Sequence, residues 1–176
     1  MLGVDDFKAK LKGGGARPTL FKVLINFPPF VDGDVELTSF MVKTSQLPAS
    51  TMGEVPVPFR GRTLYVHGDR TFDTWDVTII NDTDFRVRNS LEKWMDGINA
   101  HKTNTGLTNP ADYQVDLVVD QLDRDESVLK QYVFRGAFPT NLGDIPLDYG
   151  STDEIEEFTC SFRYQYWEAK KPETTT

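Results

Sequence analysis

The chain has 176 residues, 39% of them hydrophobic and 12% aromatic, which is enough for one domain to bury a core without staples and too much for a disordered segment. Its net charge of −8 speaks against a protein that grips nucleic acid through phosphates, because that requires a basic patch. A single cysteine, Cys160, rules out an internal disulfide and a cysteine-based zinc site, and no run approaches the length of a membrane span.

Residues 4–12, "VDDFKAKLK", put Val4, Phe7 and Leu11 at helical spacing, and the glycines at 13–15 supply a stop. This predicts a short N-terminal arm over residues 1–15. "TLFKVLINF", 19–27, reads as a strand with Phe21, Val23, Ile25 and Phe27 on one face. "PPFVDGD" turns the chain, and "VELTSFMVKT", 35–44, is expected as a second strand. The segment 45–62 carries Pro48, Pro56 and Pro58, so an edge element or extended loop is expected. Its apolar residues Leu47, Met52, Val55 and Phe59 would be a liability on a monomer, which makes it a candidate contact arm.

"TLYVHG" predicts a short strand, and "GDRTFD" a turn feeding the strand "TWDVTII", 74–80. Residues 83–102 form the one strong amphipathic helix, with Val87, Leu91, Trp94, Met95 and Ile98 on its apolar face and Asp82 or Thr83 as its cap. "DYQVDLVVDQL" and "SVLKQYVFRGAF" are strands joined by the hairpin turn "DRDE", and a turn-rich loop runs over 139–154. "IEEFTCSFRYQYW", 155–167, alternates cleanly. Phe158, Cys160, Phe162, Tyr164 and Tyr166 face one way, and Glu157, Thr159, Ser161, Arg163 and Gln165 the other. Residues 168–176 read as a polar tail. The expected architecture is one domain, mainly β, a two-sheet sandwich or barrel with one flanking helix.

The chemistry-bearing residues do not assemble into a site. His67 and His101 share no metal-ligand spacing, and Cys160 sits mid-strand on the aromatic face, where a buried inert thiol is expected. "KGGGARP" lacks the ending of a phosphate loop, and "DGDVE" lacks the spacing of a calcium loop. Asp69, Asp73 and Asp76 with Arg70 are the nearest thing to an acid pair, but charged turns usually serve structure. No catalytic, cofactor-binding or metal-ligating residue is therefore expected. Strands that are polar on one face, with decorated edges, suit a molecule that completes its sheets by joining copies of itself.

The blocks "ARPTLFKV", "TSQLPAS", "VPVPFRGRTLYVHGDRTFDTWDVTIIND", "PADYQVDLVVDQLDRD" and "PTNLGDIPLDYGSTDEIEEFTCSFRYQYWE" resemble, in order from Val4 to Glu168, the tail tube proteins of T4-like, contractile-tailed bacteriophages. "GDRTFDTW" and "PTNLGDIPLDY" are the most specific parts. The resemblance implies a sandwich whose inner sheets join six subunits into a ring barrel, and rings that stack into a hollow tube in the virion, assembled in the host cytoplasm. It further implies sheath, baseplate and tail-terminating partners, and DNA that passes through without specific binding. Glu157, Thr159, Ser161, Arg163 and Gln165, with Asp116 and Asp120 second, are then the candidate lumen residues. Phe7, Leu11, Leu47, Met52, Val55, Phe59, Asp69 and Arg70 are the candidate inter-subunit contacts. Tubes of secretion systems or phage-tail-like particles are the nearest alternative. A monomeric glycan- or peptide-binding sandwich and a hydrolase using the Asp69, Asp73 and Asp76 group are more distant ones.

Overall fold

The computed structural model describes residues 3–170. It opens with helix α1 (Val4–Lys10), followed by a helical turn over Lys12–Gly14 and three glycines, all at positive φ. The body then runs β1 (Phe21–Ile25), α2 (Val35–Met41), β2 (Val42–Thr44), β3 (Thr51–Phe59), β4 (Arg62–Thr71), β5 (Trp75–Ile80), α3 (Arg86–Ile98), α4 (Pro110–Tyr113), β6 (Val115–Leu122), β7 (Val128–Leu142), β8 (Glu157–Arg163) and β9 (Tyr166–Lys170).

Seven strands form one continuous sheet, in the order β1-β6-β7-β8-β5-β2 with β9 added beside β7. Every pairing is antiparallel. β7 is fifteen residues long and serves two layers. Its first half pairs with β6 and β9, and its second half pairs with β8. The bend falls at Gly136, where φ is +60° and an added Cβ would sit 3.0 Å from Gln114 and Gln165. Glycine is the residue that tolerates both the dihedral and the crowding. The first layer is thus β1-β6-β7-β9 and the second β7-β8-β5-β2.

The core fills the space between the layers. Val23, Ile25, Leu117, Val119 and Phe134 come from the first layer; Trp75, Val77, Ile79, Phe158, Cys160 and Phe162 come from the second. Helix α3 closes the core with Val87, Leu91 and Trp94, all buried. Trp75 stacks on Phe134 at 4.4 Å between ring centroids, and Phe134 meets Tyr164 edge-on at 4.9 Å. All three tryptophans give their indole N–H to a backbone carbonyl: Trp75 to Gln46, Trp94 to Tyr113 and Trp167 to Ala49. Buried indoles need such a partner. Gly97 of α3 leaves room for the Phe30 ring, which any Cβ there would overlap.

Three expectations are corrected, and a fourth, left open between two alternatives, is decided. Residues 35–41 form a helix rather than a strand. Asp34 caps it by accepting from the Leu37 N–H at 2.9 Å, while the Thr38 hydroxyl donates to the Asp34 carbonyl at 2.6 Å. Only 42–44 remain extended. The proline-rich 45–62 segment takes the edge-element alternative for half its length, since Thr51–Phe59 pairs along β4 alone among the described strands. Pro56 and Pro58 lie two apart, so both missing N–H groups fall on one edge, the one facing away from β4. "GDRT" is not a turn: Gly68 to Thr71 belong to β4, and an irregular stretch over 72–74 connects it to β5. Finally, the 155–167 strand breaks at Gln165. Phe158, Cys160, Phe162 and Tyr164 are buried as read, but Tyr166 is exposed, and Glu168–Lys170 extend β9 rather than a tail. The rest of that tail lies outside the described residues.

Helix α3 starts later than read, at Arg86, behind Phe85 in the left-handed region. Asp82 still caps it by accepting from the Arg86 N–H at 3.0 Å.

Phe134→Ala should lower stability by about 3–5 kcal/mol, since it empties the stack between Trp75 and Tyr164. Urea unfolding at a concentration where the chain is monomeric checks this; the midpoint should fall with little change in slope. Asp34→Ala should cost about 1 kcal/mol by the same measurement.

Candidate functional site: two sheet faces and an exposed ribbon

The outward faces of the two layers differ in chemistry. On the second layer, Glu157, Thr159, Ser161 and Arg163 alternate with the buried Phe158, Cys160 and Phe162 along β8. Across the ladder Ser161 faces Asp76 and Thr159 faces Thr78, whose hydroxyls approach to 3.5 Å. Lys43 reaches Glu157 at 2.7 Å. This face is small, polar and open.

The outward face of the first layer is closed over by its own side chains. Arg135 bridges two carboxylates, with Asp116 at 2.5 Å and Glu168 at 2.9 Å, and so ties β6, β7 and β9 together. Hydrogen bonds from Arg135 to both carboxylates, Asp116 first, raise its already high pKa. Asp116 also accepts from the Gly136 N–H at 3.2 Å, at the bend of β7. Val133 and Asp120 are both buried on this side, and the Asp120 Oδ1 has no partner among the described residues.

The seven residues read as one wall therefore divide. Glu157, Thr159, Ser161 and Arg163 share the second layer's face. Asp116 and Asp120 project from the first layer, away from the core on its opposite side. Gln165 stands at the bend leading to β9, its N–H bonded to the Arg135 carbonyl. Alternation along each strand was visible in the sequence; which layer each strand joined was not.

β3 and β4 form a separate two-stranded ribbon. All nineteen of its residues but Gly68 are exposed. Met52, Val55, Val57, Phe59, Leu64, Tyr65 and Val66 lie open to solvent, with Phe59 at 65%. The turn Arg60-Gly61 has positive φ at both positions, the geometry of a tight two-residue hairpin. Gly53 and Gly68 face each other so closely that a Cβ on Gly68 would lie 3.1 Å from the Gly53 backbone. Asp69 and Arg70 sit on β4, and neither joins an ion pair within the described chain. Leu47 belongs to the stretch running past Trp75 into the ribbon. Phe7 and Leu11 are exposed on the N-terminal arm. The sequence reading did not single out Leu64, Tyr65 and Val66, because a short strand with apolar residues carries no sign of whether a second layer covers it.

The carboxylates once weighed as an acid cluster lie on three elements: Asp69 on β4, Asp73 in the connecting segment and Asp76 on the outward face of β5. Among the described residues no group of three or more His, Cys, Asp or Glu could hold a metal ion, and no helix is long and apolar enough to cross a membrane. Burial, first, and the nearby Asp76 charge push the Cys160 thiol well above its ordinary pKa, so it stays protonated and inert.

A family model described as "Phage tail tube protein" matches residues 16–170. The tail tube protein of Serratia phage KSP90 is 34% identical over 168 residues, covering 93% of this chain and 95% of that protein. Tail tube protein gp19 of Enterobacteria phage T4 is 34% identical over 167 residues, covering 94% and 99%. This chain belongs to the phage tail tube protein family. Among solved structures, a chain in the cryo-EM, 6-fold symmetrised baseplate of the anti-feeding prophage shares the fold with a TM-score of 0.69 at 13% identity, over 90% of this chain and 97% of that one. A chain of the sheath-tube complex of an extracellular contractile injection system, in its extended state, does so with a TM-score of 0.63 at 13% identity, over 96% and 98%.

Thiol titration checks the Cys160 environment. The native chain should leave the thiol unlabelled over an hour with an aromatic disulfide reagent at neutral pH, and the urea-unfolded chain should release one equivalent at once.

Proposed function

We propose that this chain is the structural subunit of the tube of a contractile bacteriophage tail. Six copies close into a ring, rings stack into a hollow conduit within the virion, and DNA passes through without specific binding. The 34% identity to tail tube proteins along nearly the whole chain carries this reading. The exposed ribbon supports it, because an isolated two-stranded hairpin is marginal in water and gains its stability from whatever covers it.

In this reading the outward face of the second layer lines the lumen. Hydroxyls of Thr78, Thr159 and Ser161, with Asp76, Arg163 and the Lys43–Glu157 pair, make a surface that holds few phosphates. The ordered Arg135 face, with Asp116 and Asp120, lies on the outside of the sandwich. Four alternating antiparallel strands per layer let the free edge of one subunit meet the opposite free edge of the next in antiparallel sense, which is the condition for a closed ring. The ribbon residues Met52, Val55, Phe59, Asp69 and Arg70, the adjoining Leu47, and Phe7 and Leu11 of the arm contact neighbouring copies. The sheath, a baseplate that nucleates assembly and a tail-terminating protein complete the partners. A tube of a secretion-type particle, without DNA, is the alternative that keeps the same geometry.

Negative-stain electron microscopy of the concentrated protein, with a baseplate nucleus supplied if needed, should show hollow tubes or six-fold rings. A chain that stays monomeric under both conditions sinks the reading. Phe59→Asp should raise the concentration needed for assembly about tenfold or more while leaving the urea midpoint of the monomer unchanged.

A further inference from the structure

The ribbon raises a narrower question: which surface receives its tip. The tip is Phe59-Arg60-Gly61-Arg62, apolar and cationic, with the Arg60 guanidinium 5.3 Å from the centre of the Phe59 ring. Pro56 and Pro58 remove N–H donors from the outer edge of β3, so the ribbon is poorly suited to adding itself as a strand to a foreign sheet through that edge. Its tip instead suits a groove that is both apolar and anionic.

The described residues hold one such groove. It lies between β5 and the loop from Gly143 to Glu157, with a volume of about 840 Å³. Ile80, Ile145, Leu147 and Ile155 supply its apolar wall. Leu147 and Ile155 are open to solvent, as is Tyr149 nearby. From Gly143 to Glu156 the loop carries five carboxylates and no cation, a large share of the chain's net charge of −8, and Glu157 opens β8 beside it. The only cation at the groove is Lys43, already engaged by Glu157. Glu156 is engaged as well, by the Asn81 amide at 3.0 Å. Glu154 has no hydrogen bond or ion pair among the described residues.

Topology separates the two features. The ribbon leaves after β2 and returns at Trp75, the first residue of β5, whereas the groove lies beside Ile80, its last. Ribbon and groove are thus at opposite ends of the second layer. β3 spans about 30 Å and β5 about 20 Å at roughly 3.3 Å per residue, so the ribbon reaches well past the body that carries it. A feature at one end that fits a feature at the other makes a head-to-tail contact, which extends along an axis wherever its rotation does not close a ring.

We infer that the ribbon tip of one copy docks into the acidic groove of a second copy of this chain, with Phe59 against the Ile145–Ile155 wall and Arg60 and Arg62 against Glu154 and its neighbours. This rests on the tube reading above and names the mating surface within it. Arginine suits the role, because its planar fork bonds carboxylates in pairs and stacks on rings. The contact also disposes of two liabilities at once, an uncovered apolar ribbon and a concentrated negative loop.

Charge reversal and cross-linking test this together. Arg62→Glu and Glu154→Lys should each raise the assembly concentration about tenfold or more, and the two combined in one chain should return it to within about threefold of the parent. Arg62→Cys with Glu154→Cys should form intermolecular disulfide ladders in tubes and none in dilute monomer; Cys160 is buried and does not compete. Parent-like assembly of both reversals with no ladder overturns the docking and leaves the tube reading standing. Loss of assembly in Glu154→Lys that Arg62→Glu does not rescue, together with a ladder from Lys10→Cys and Glu154→Cys, assigns the groove to the N-terminal arm and overturns it too. A parent chain that forms no tubes with or without a baseplate nucleus overturns both readings.

Discussion

Everything in this fold hangs on one strand serving two layers. β7 runs fifteen residues, pairs with β6 and β9 in its first half and with β8 in its second, and bends between them at Gly136. The bend needs a positive φ and a backbone stripped of its Cβ, and Asp116 holds it by accepting the Gly136 N–H while pairing with Arg135. Because the layers are joined there, Phe134 on one side can stack on Trp75 from the other, and α3 closes the remaining opening with Trp94. The core is thus filled from both layers and α3, and the polar outward face of the second layer stays open.

Those faces and the ribbon are where the molecule departs from a self-sufficient domain. A monomer gains little by exposing seven large hydrophobic side chains on a lone hairpin, or by placing five carboxylates on one loop. In the proposed docking both features become favourable once a second copy is present. Hydrophobic burial at the ribbon then replaces contact with water, and the loop's self-repulsion meets a counter-charge. In the proposed tube the small hydroxyls of Thr78, Thr159 and Ser161 follow a different logic, since a surface that must not hold a polyanion does best with weak, short, neutral donors.

The places where the sequence misled have definite causes. "VELTSFMVKT" alternates enough to pass for a strand, yet the Asp34 side chain, three residues ahead of Leu37, captures an N–H and starts a helix. The prolines of 45–62 left an edge element and an extended loop open, because the rule for central strands excludes only the ladder interior. In a two-stranded ribbon each strand has an outer edge, and prolines two apart fit it. Asp116 and Asp120 were grouped with the β8 residues because both strands alternate; alternation assigns a face to each strand but does not say which layer it joins.

The sequence by itself determined the mainly β class, the single strong helix, the buried side of β8, the inert Cys160 and, through long ordered blocks, the family. These follow from local periodicity and from residue-by-residue likeness, which need no knowledge of long-range contacts. Only the tertiary structure decided that β7 bridges the layers, that the lumen candidates divide between opposite faces, that 51–71 stands apart as a ribbon, and that ribbon and acidic groove lie at opposite ends of one sheet. Each depends on which strands pair across dozens of residues, and pairing is chosen by the whole core rather than by any one segment.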